Sequence, residues 1–185
     1  MRIISGKYKG RRLPEAKNIS ARPTTDFAKE GLFNILENKF ELDTCQVLDL
    51  FAGTGNISFE FASRGCPRIV AVDQEVACIN HIKKVANEFE MIEIETKIFD
   101  SLKLISKKSS ESFTIVFADP PFDFSIEQYQ NLIETIFEND WIKENGILVL
   151  EHATDKTKLI NSIANKSETR KYGSVSFSFF SLPIL

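Results

Sequence analysis

Apolar positions along this chain fall into two alternating rhythms. Apolar or alternating runs of strand type recur at 46–51, 68–73, 92–98, 113–118 and 146–151. Between and after them, apolar residues spaced three and four apart predict helices over 56–64, 75–89, 126–138 and 155–164, with a short one near 101–107. Alternation of this kind predicts an α/β fold, a mostly parallel sheet with helices on both faces and a binding crevice at the carboxyl ends of its strands. Upstream, Thr24 or Thr25 can cap a helix carrying Phe27, Leu32, Phe33, Ile35 and Leu36. Gly31 inside that helix costs about 1 kcal/mol relative to Ala, which points to close packing or ligand approach there. The tail changes style. Around Gly173, Val175, Phe177 and Phe179 alternate with serines, so two strands joined by a tight turn must end the sheet as an antiparallel hairpin.

Composition adds bounds. At 185 residues, 43% of them hydrophobic and 26% charged, the chain suits one soluble domain with a small appendage. No apolar run approaches the roughly 20 residues that span a bilayer, and Met1–Gly6 lacks a signal-peptide core, so a cytoplasmic protein is expected. Cys45, Cys66 and Cys78 have no metal-type spacing, and Cys78 with His81 is half of a site without its other half; reduced thiols and no metal are expected. The net charge of −3 hides an asymmetry: residues 1–22 carry seven Lys/Arg (Arg2, Lys7, Lys9, Arg11, Arg12, Lys17 and Arg22) against Glu15 alone. The stretch Arg2–Leu13 reads as a basic β-hairpin around Gly6–Gly10, with Ile3, Tyr8 and Leu13 as its apolar contacts. Residues 1–21 are therefore expected to form an arm that grips a polyanion, and 22–185 the main domain.

Two stretches carry candidate chemistry. The first strand runs through Asp49 into Phe51-Ala52-Gly53-Thr54-Gly55-Asn56, and the next ends in Asp73-Gln74, which together make half of a nucleotide-binding βαβ unit. Its glycines allow a tight turn and close backbone approach, although Ser58 stands where the dinucleotide fingerprint has its third glycine. Asp100 and Asp119 also fall at or near strand ends. After the fourth strand comes Asp119-Pro120-Pro121-Phe122. Two prolines hold this corner rigid and leave its carbonyls free; with one carboxylate and one ring beside them, the corner is an acceptor-only pocket with a stacking wall. Such a pocket suits a flat heterocycle bearing an NH2 group, and by itself admits guanine, adenine N6 or cytosine N4 in RNA or DNA. A nicotinamide-dependent oxidoreductase fits Ser58 and the terminal hairpin poorly. A non-catalytic RNA-binding module leaves the glycine loop and the corner without a purpose.

D-P-P-F after the fourth strand, with D-x-F-x-G-x-G after the first, is similar to the amino-directed AdoMet-dependent methyltransferases. The further stretches Arg22-Pro23-Thr24-Thr25-Asp26, Glu30-Gly31-Leu32-Phe33-Asn34, Ile4-Ser5-Gly6 and Lys9-Gly10-Arg11-Arg12-Leu13 narrow the likeness. Together they resemble the bacterial small-subunit (16S) rRNA (guanine-N2) methyltransferases over nearly the whole chain. The resemblance implies a Rossmann-like class I methyltransferase fold with a seven-stranded, mostly parallel sheet. It implies S-adenosyl-L-methionine at Asp49, Phe51, Ala52, Gly53, Thr54 and Gly55 (methionine end), Asp73 and Gln74 (ribose), and Asp100 and Ser101 (adenine). It implies that Asp119 and the Pro120 carbonyl hold the amino group, that Pro121 belongs to the same catalytic corner, that Phe122 stacks on the base, and that Arg2, Lys7, Lys9, Arg11, Arg12, Arg22 and Thr24 meet the RNA. The partner it implies is 16S rRNA or the assembling small subunit, bound by a monomer. Lys29 stands where such relatives often carry Arg.

Overall fold

The structure, a computed structural model, describes residues 1–15, 24–160, 162 and 166–181. Its seven-stranded sheet has the order β3-β2-β1-β4-β5-β7-β6. The parallel part consists of β1 (Gln46–Leu50), β2 (Arg68–Asp73), β3 (Ile94–Ile98), β4 (Phe113–Ala118) and β5 (Ile142–Ala153). The tail adds β6 (Lys166–Tyr172) and β7 (Val175–Phe180), antiparallel to each other and to β5, as the alternation of Phe and Ser anticipates. The order reverses between β1 and β4, and a crevice opens where neighbouring crossovers leave the sheet on opposite sides.

Helices cover both faces. On one lie α1 (Asp26–Lys39), α2 (Asn56–Ser63) and α3 (Val76–Glu88), whose Leu32, Phe33, Phe59, Phe61, Ile79 and Ile82 pack with Phe117, Phe177 and Phe179 of the sheet. On the other, α4 (Ser101–Ile105), α5 (Ile126–Glu138) and α6 (Thr157–Ile160) close over Leu48, Leu50, Val116 and Leu148 with Ile105, Tyr129, Leu132 and Ile160. Capping chemistry sets the boundaries. Thr25 rather than Thr24 caps α1, its hydroxyl accepting from the Ala28 amide, and Ser125 with Gln128 forms a capping box on α5. Strand β5 starts four residues before the apolar run because the pairing with β4 shifts register between Phe113 and Ile115 and takes in the polar Lys143-Glu144-Asn145. Of the helix expected over 155–164, α6 is the α-helical part; Thr154–Lys156 form a 3-10 turn, and residues 161 and 163–165 lie outside the described set.

The basic N-terminal segment folds back on itself, but its ladder is one antiparallel bridge, Arg2 opposite Arg12, around a turn. What holds it is the core: Ile3, Tyr8 and Leu13 are buried in the same cluster as α1 and α2. The Lys7 amide donates to the Ser63 carbonyl at 2.7 Å and the Tyr8 amide to the Ser63 hydroxyl at 3.0 Å. Gly6 permits this approach. It has φ +82°, and a Cβ there would lie 1.8 Å from the Ser63 carbonyl oxygen. Gly6→Ala is expected to cost about 2 kcal/mol or more, lowering the thermal midpoint by about 4–8 °C; an unchanged midpoint in a calorimetric scan would contradict this docking.

Buried beneath that segment is an ion pair that sequence periodicity does not announce. Lys29 and Glu60 are both fully buried, 3.2 Å apart. Lys29 also donates to the Arg2 carbonyl (2.7 Å) and to Asn56 Oδ1 (2.9 Å). Glu60 accepts the amides of Ile4 and Ser5 and the Arg64 guanidinium. Every polar atom of the pair is thus answered, as a buried charge requires.

Candidate active site

The turn after β1 is built from left-handed residues: Phe51 (φ 63°), Gly53 (φ 54°) and Gly55 (φ 80°). Gly55, the residue before α2, is needed twice. Besides its φ, an added Cβ would sit 2.8 Å from Ile82 and 2.9 Å from Phe59. It is buried and shapes the turn from behind, while Ala52, Gly53, Thr54 and Asn56 face the cavity. Ser58, at the place of the missing third glycine, has a local reason. Its hydroxyl donates to Asp49 Oδ2 at 2.5 Å, with both side chains buried.

The strand-end carboxylates tie the loops together. Asp73 accepts the Gly53 amide and the Glu75 amide, each at 2.8 Å, and so joins the glycine turn to the start of α3. Asp100 caps α4 by accepting from Leu102 and Lys103, and Ser101 Oγ accepts the Phe51 amide at 3.4 Å. A carboxylate has about four lone-pair sites, so these roles leave acceptor capacity facing the cavity.

The corner Asp119–Phe122 follows β4 directly. The Phe124 amide donates to the Pro121 carbonyl (3.0 Å), and Lys156, from the turn after β5, clamps the loop by donating to the carbonyls of Phe122 (2.5 Å) and Phe124 (2.8 Å). Phe122 is 37% exposed, open to a stacking partner. Nothing in the local pattern around Lys156 marks it as a loop clamp.

One cavity of about 710 Å³ is lined by residues of all these elements. Its lining includes Ala52, Gly53 and Thr54 of the glycine turn with Asp49, Asp73, Gln74, Asp100 and Ser101, together with Asp119, Pro120, Pro121 and Phe122 of the corner and Thr24. The basic residues sit elsewhere. Arg2 pairs with Asp26 at 2.8 Å on the surface, and Arg11 stacks over the rings of Tyr8 and Phe89. Lys7 lies over the Tyr8 ring, while Lys9 and Arg12 are exposed. None of these lines the cavity, and Arg22 lies outside the described residues.

Electrostatically the cavity is acidic. Burial pushes the Asp49 carboxyl up to about 7, with Asp73 and Glu151 adding to the rise and the Ser58 hydrogen bond opposing it. Asp119 is raised well above the usual carboxylate range, first by burial and then by Glu151 and Asp49. Glu151, near the end of β5 and 2% exposed, accepts from the Thr24 hydroxyl at 2.8 Å. The sequence offers no local sign of it, since it falls within an otherwise apolar strand. Clustered carboxylates held out of water are stabilised by a cation among them. Among the described residues, no grouping of His, Cys, Asp and Glu could hold a metal ion, and no helix is long and apolar enough to cross a membrane.

Comparison with known proteins places this arrangement. Residues 1–181 match the family described as conserved hypothetical protein 95. Ribosomal RNA small subunit methyltransferase D of Haemophilus influenzae is 30% identical over 183 residues, covering 97% of this chain and 93% of that protein. The protein of the same name in Escherichia coli K12 is 30% identical over 152 residues, covering 82% and 74%. Among solved structures, a hypothetical protein from Thermus thermophilus superposes with a TM-score of 0.82, covering 98% of this chain and 99% of that one at 23% identity. A coclaurine N-methyltransferase bound to N-methylheliamine and SAH superposes with a TM-score of 0.56 over 70% of this chain and 36% of that one, at 25% identity.

Proposed function

Given that this chain belongs to the conserved hypothetical protein 95 family, we propose that it transfers a methyl group from S-adenosyl-L-methionine to the exocyclic N2 amino group of a guanine in small-subunit (16S) rRNA. The chain is a methyltransferase with a Rossmann-like fold that uses S-adenosylmethionine, and its relatives act on small-subunit rRNA. The observation that supports transfer to an exocyclic amino group is the shared cavity, lined by residues of both the glycine turn and the Asp119–Phe122 corner; guanine in small-subunit rRNA rests on the relatives.

The residues suit the cofactor. A sulfonium and an ammonium answer the charge of Asp49 and Asp73, and the left-handed turn brings backbone close to the ligand. Asp73 has lone pairs for ribose hydroxyls besides the two it gives to the loop amides. Gln74, Asp100 and Ser101, which line the same cavity, would hold the rest of the nucleoside, Gln74 at the ribose and Asp100 with Ser101 at the adenine. When bound, S-adenosylmethionine supplies a methyl carbon already activated by its sulfonium.

Asp119 and the Pro120 carbonyl accept the two hydrogens of the amino group. Those bonds favour a pyramidal nitrogen and direct its lone pair across the cavity, so positioning does most of the work. In the protein alone, burial beside Glu151 and Asp49 favours protonated Asp119; an amino group and a nearby positive charge favour the carboxylate, which then stabilises charge developing on nitrogen. Phe122 stacks on the extruded base, rigidly backed by Pro121. Arg2, Lys7, Lys9, Arg11, Arg12 and Arg22 hold phosphates of the folded RNA.

Nucleosides of rRNA from cells lacking this protein test the reading by mass spectrometry. Loss of one N2-methylguanosine is expected; loss of N6-methyladenosine or N4-methylcytidine with every N2-methylguanosine intact would replace it with the adenine or cytosine alternative. A second outcome concerns pH. Because cation binding favours ionised Asp49, whose carboxyl titrates at about 7 in the protein alone, cofactor affinity should weaken about tenfold between pH 8 and pH 6. Calorimetric titration of wild type and Asp49→Asn checks this, since the variant should lose that pH slope.

A further inference from the structure

An acceptor pair at Asp119 and Pro120 suits the amino group of guanine, adenine or cytosine alike. The bases differ in the ring nitrogen beside that group. Guanine N1 carries a hydrogen, whereas adenine N1 and cytosine N3 present a lone pair there. A residue beside Asp119 that can only accept would therefore separate them, because a site built for a donor rejects an analogue that lacks it.

Thr24 has that property. It lines the cavity, and its single hydroxyl proton is given to Glu151 Oε2 at 2.8 Å, with both residues buried. A hydroxyl has one proton and two lone pairs, so one whose proton is held behind the wall turns only lone pairs outward. The residue is also fixed. Asn56 Nδ2 donates to the Thr24 carbonyl at 3.2 Å, and Asn56 Oδ1 is in turn held by Lys29 at 2.9 Å. Thr24 has no competing duty as a helix cap, which falls to Thr25.

The sheet places this acceptor on the correct side. Ala118 of β4 is paired with Leu150 of β5, so Asp119 and Glu151 follow as neighbours one residue further on. They lie two residues beyond Phe117 and Val149, which pack in the cluster under α1, and strand periodicity keeps them on that face. Thr24 enters α1 on the same face and reaches Glu151 there.

Resting on the proposed N2 transfer, we propose that Thr24, oriented by Glu151, selects guanine: it accepts from N1–H beside the amino group that Asp119 holds, and it repels the lone pair that adenine or cytosine presents at that point. Thr24 touches the base, and Glu151 is a positioning residue acting through it.

The test is single-turnover methylation of an RNA oligonucleotide spanning the guanine mapped by nucleoside mass spectrometry, with that nucleotide either guanine or 2-aminopurine. The analogue keeps the 2-amino group but has no hydrogen on N1. Wild type should prefer guanine by about 10–100-fold. Thr24→Val should slow guanine and spare 2-aminopurine, shrinking the preference by about fivefold or more. Thr24→Ser should retain it. In Glu151→Gln the amide can donate to the Thr24 oxygen and turn the hydroxyl proton outward, which should move the preference toward 2-aminopurine. Titration with S-adenosylmethionine shows that each variant is folded; if Thr24→Val does not bind it, Thr24→Ala carries the same comparison. Equal slowing of both substrates, or a ratio unchanged in both the Thr24 and Glu151 variants, overturns the assignment while leaving N2 transfer standing. Wild-type protein that transfers nothing to guanine N2 overturns both.

Discussion

Asp119→Ala is expected to lower methyl transfer by about a thousandfold or more, because it removes both the orienting acceptor and the charge that stabilises the developing cation. Affinity for S-adenosylmethionine should change by no more than about threefold, since the glycine turn, Asp49 and Asp73 are untouched. Single-turnover rates with small-subunit rRNA, set beside calorimetric cofactor titration, separate the two effects. Near-normal turnover in this variant would remove the proposed role of the corner. Asp119→Asn adds a stability readout with a definite sign. The Asp119 carboxyl in the folded protein is raised above its unfolded value, so its favourable contribution is present below the unfolded pKa and lost as pH rises through the folded one. Wild type is therefore held back at pH 8 by three carboxyls crowded together, those of Asp119 and the buried Asp49 and Glu151, and Asp119→Asn should raise the thermal midpoint at pH 8 while abolishing transfer. A variant that gains stability as it loses activity marks a group retained for chemistry rather than for the fold.

The second large effect is on stability. Lys29→Ala leaves Glu60 fully buried with one of its two cationic partners gone, and breaking a buried pair typically costs about 3–5 kcal/mol. Arg64 and the amides of Ile4 and Ser5 still answer Glu60, so the lower end is expected. For a chain of this size that lowers the urea midpoint by about 1–2 M. Burial pulls the Lys29 ammonium below its usual range and Glu60 opposes the fall, the signature of a charge kept in place by its partner. The double variant Lys29→Met with Glu60→Leu should be less damaging than the Glu60→Leu substitution added to the Lys29→Met cost, because the two side chains act as one unit. Strict additivity in urea melts would show that they do not. The pair also fixes the N-terminal segment through the Arg2 carbonyl and fixes Thr24 through Asn56. Damage to it should therefore reach the cavity and the basic segment together.

Several features of this chain were legible before any coordinates. Short apolar runs separated by helical periodicity predict the parallel strands and their helices, and alternating Phe and Ser in the tail predicts the antiparallel end; the sheet has that form. The glycine turn and the Asp119–Phe122 corner were legible because turn and proline chemistry acts within a few residues. Reading Gly31 as a site of close approach also held: a Cβ there would lie 2.1 Å from the Tyr172 ring. Ser58 counted in the sequence against a dinucleotide fingerprint, but its bond to Asp49 was not legible there, since that partner is nine residues away in the preceding strand.

Local pattern determined the elements, their approximate ends and the two loops proposed to carry the chemistry, because propensity, capping and turn geometry operate over one or two turns of chain. Tertiary structure alone decided which buried polar groups answer one another. Lys29 meets Glu60, Lys156 clamps the corner, and Thr24 gives its proton to Glu151 across 127 positions of sequence. Those pairings depend on strand order and register, and a charge in water carries no mark of the partner that makes its burial affordable until the sheet brings the two together.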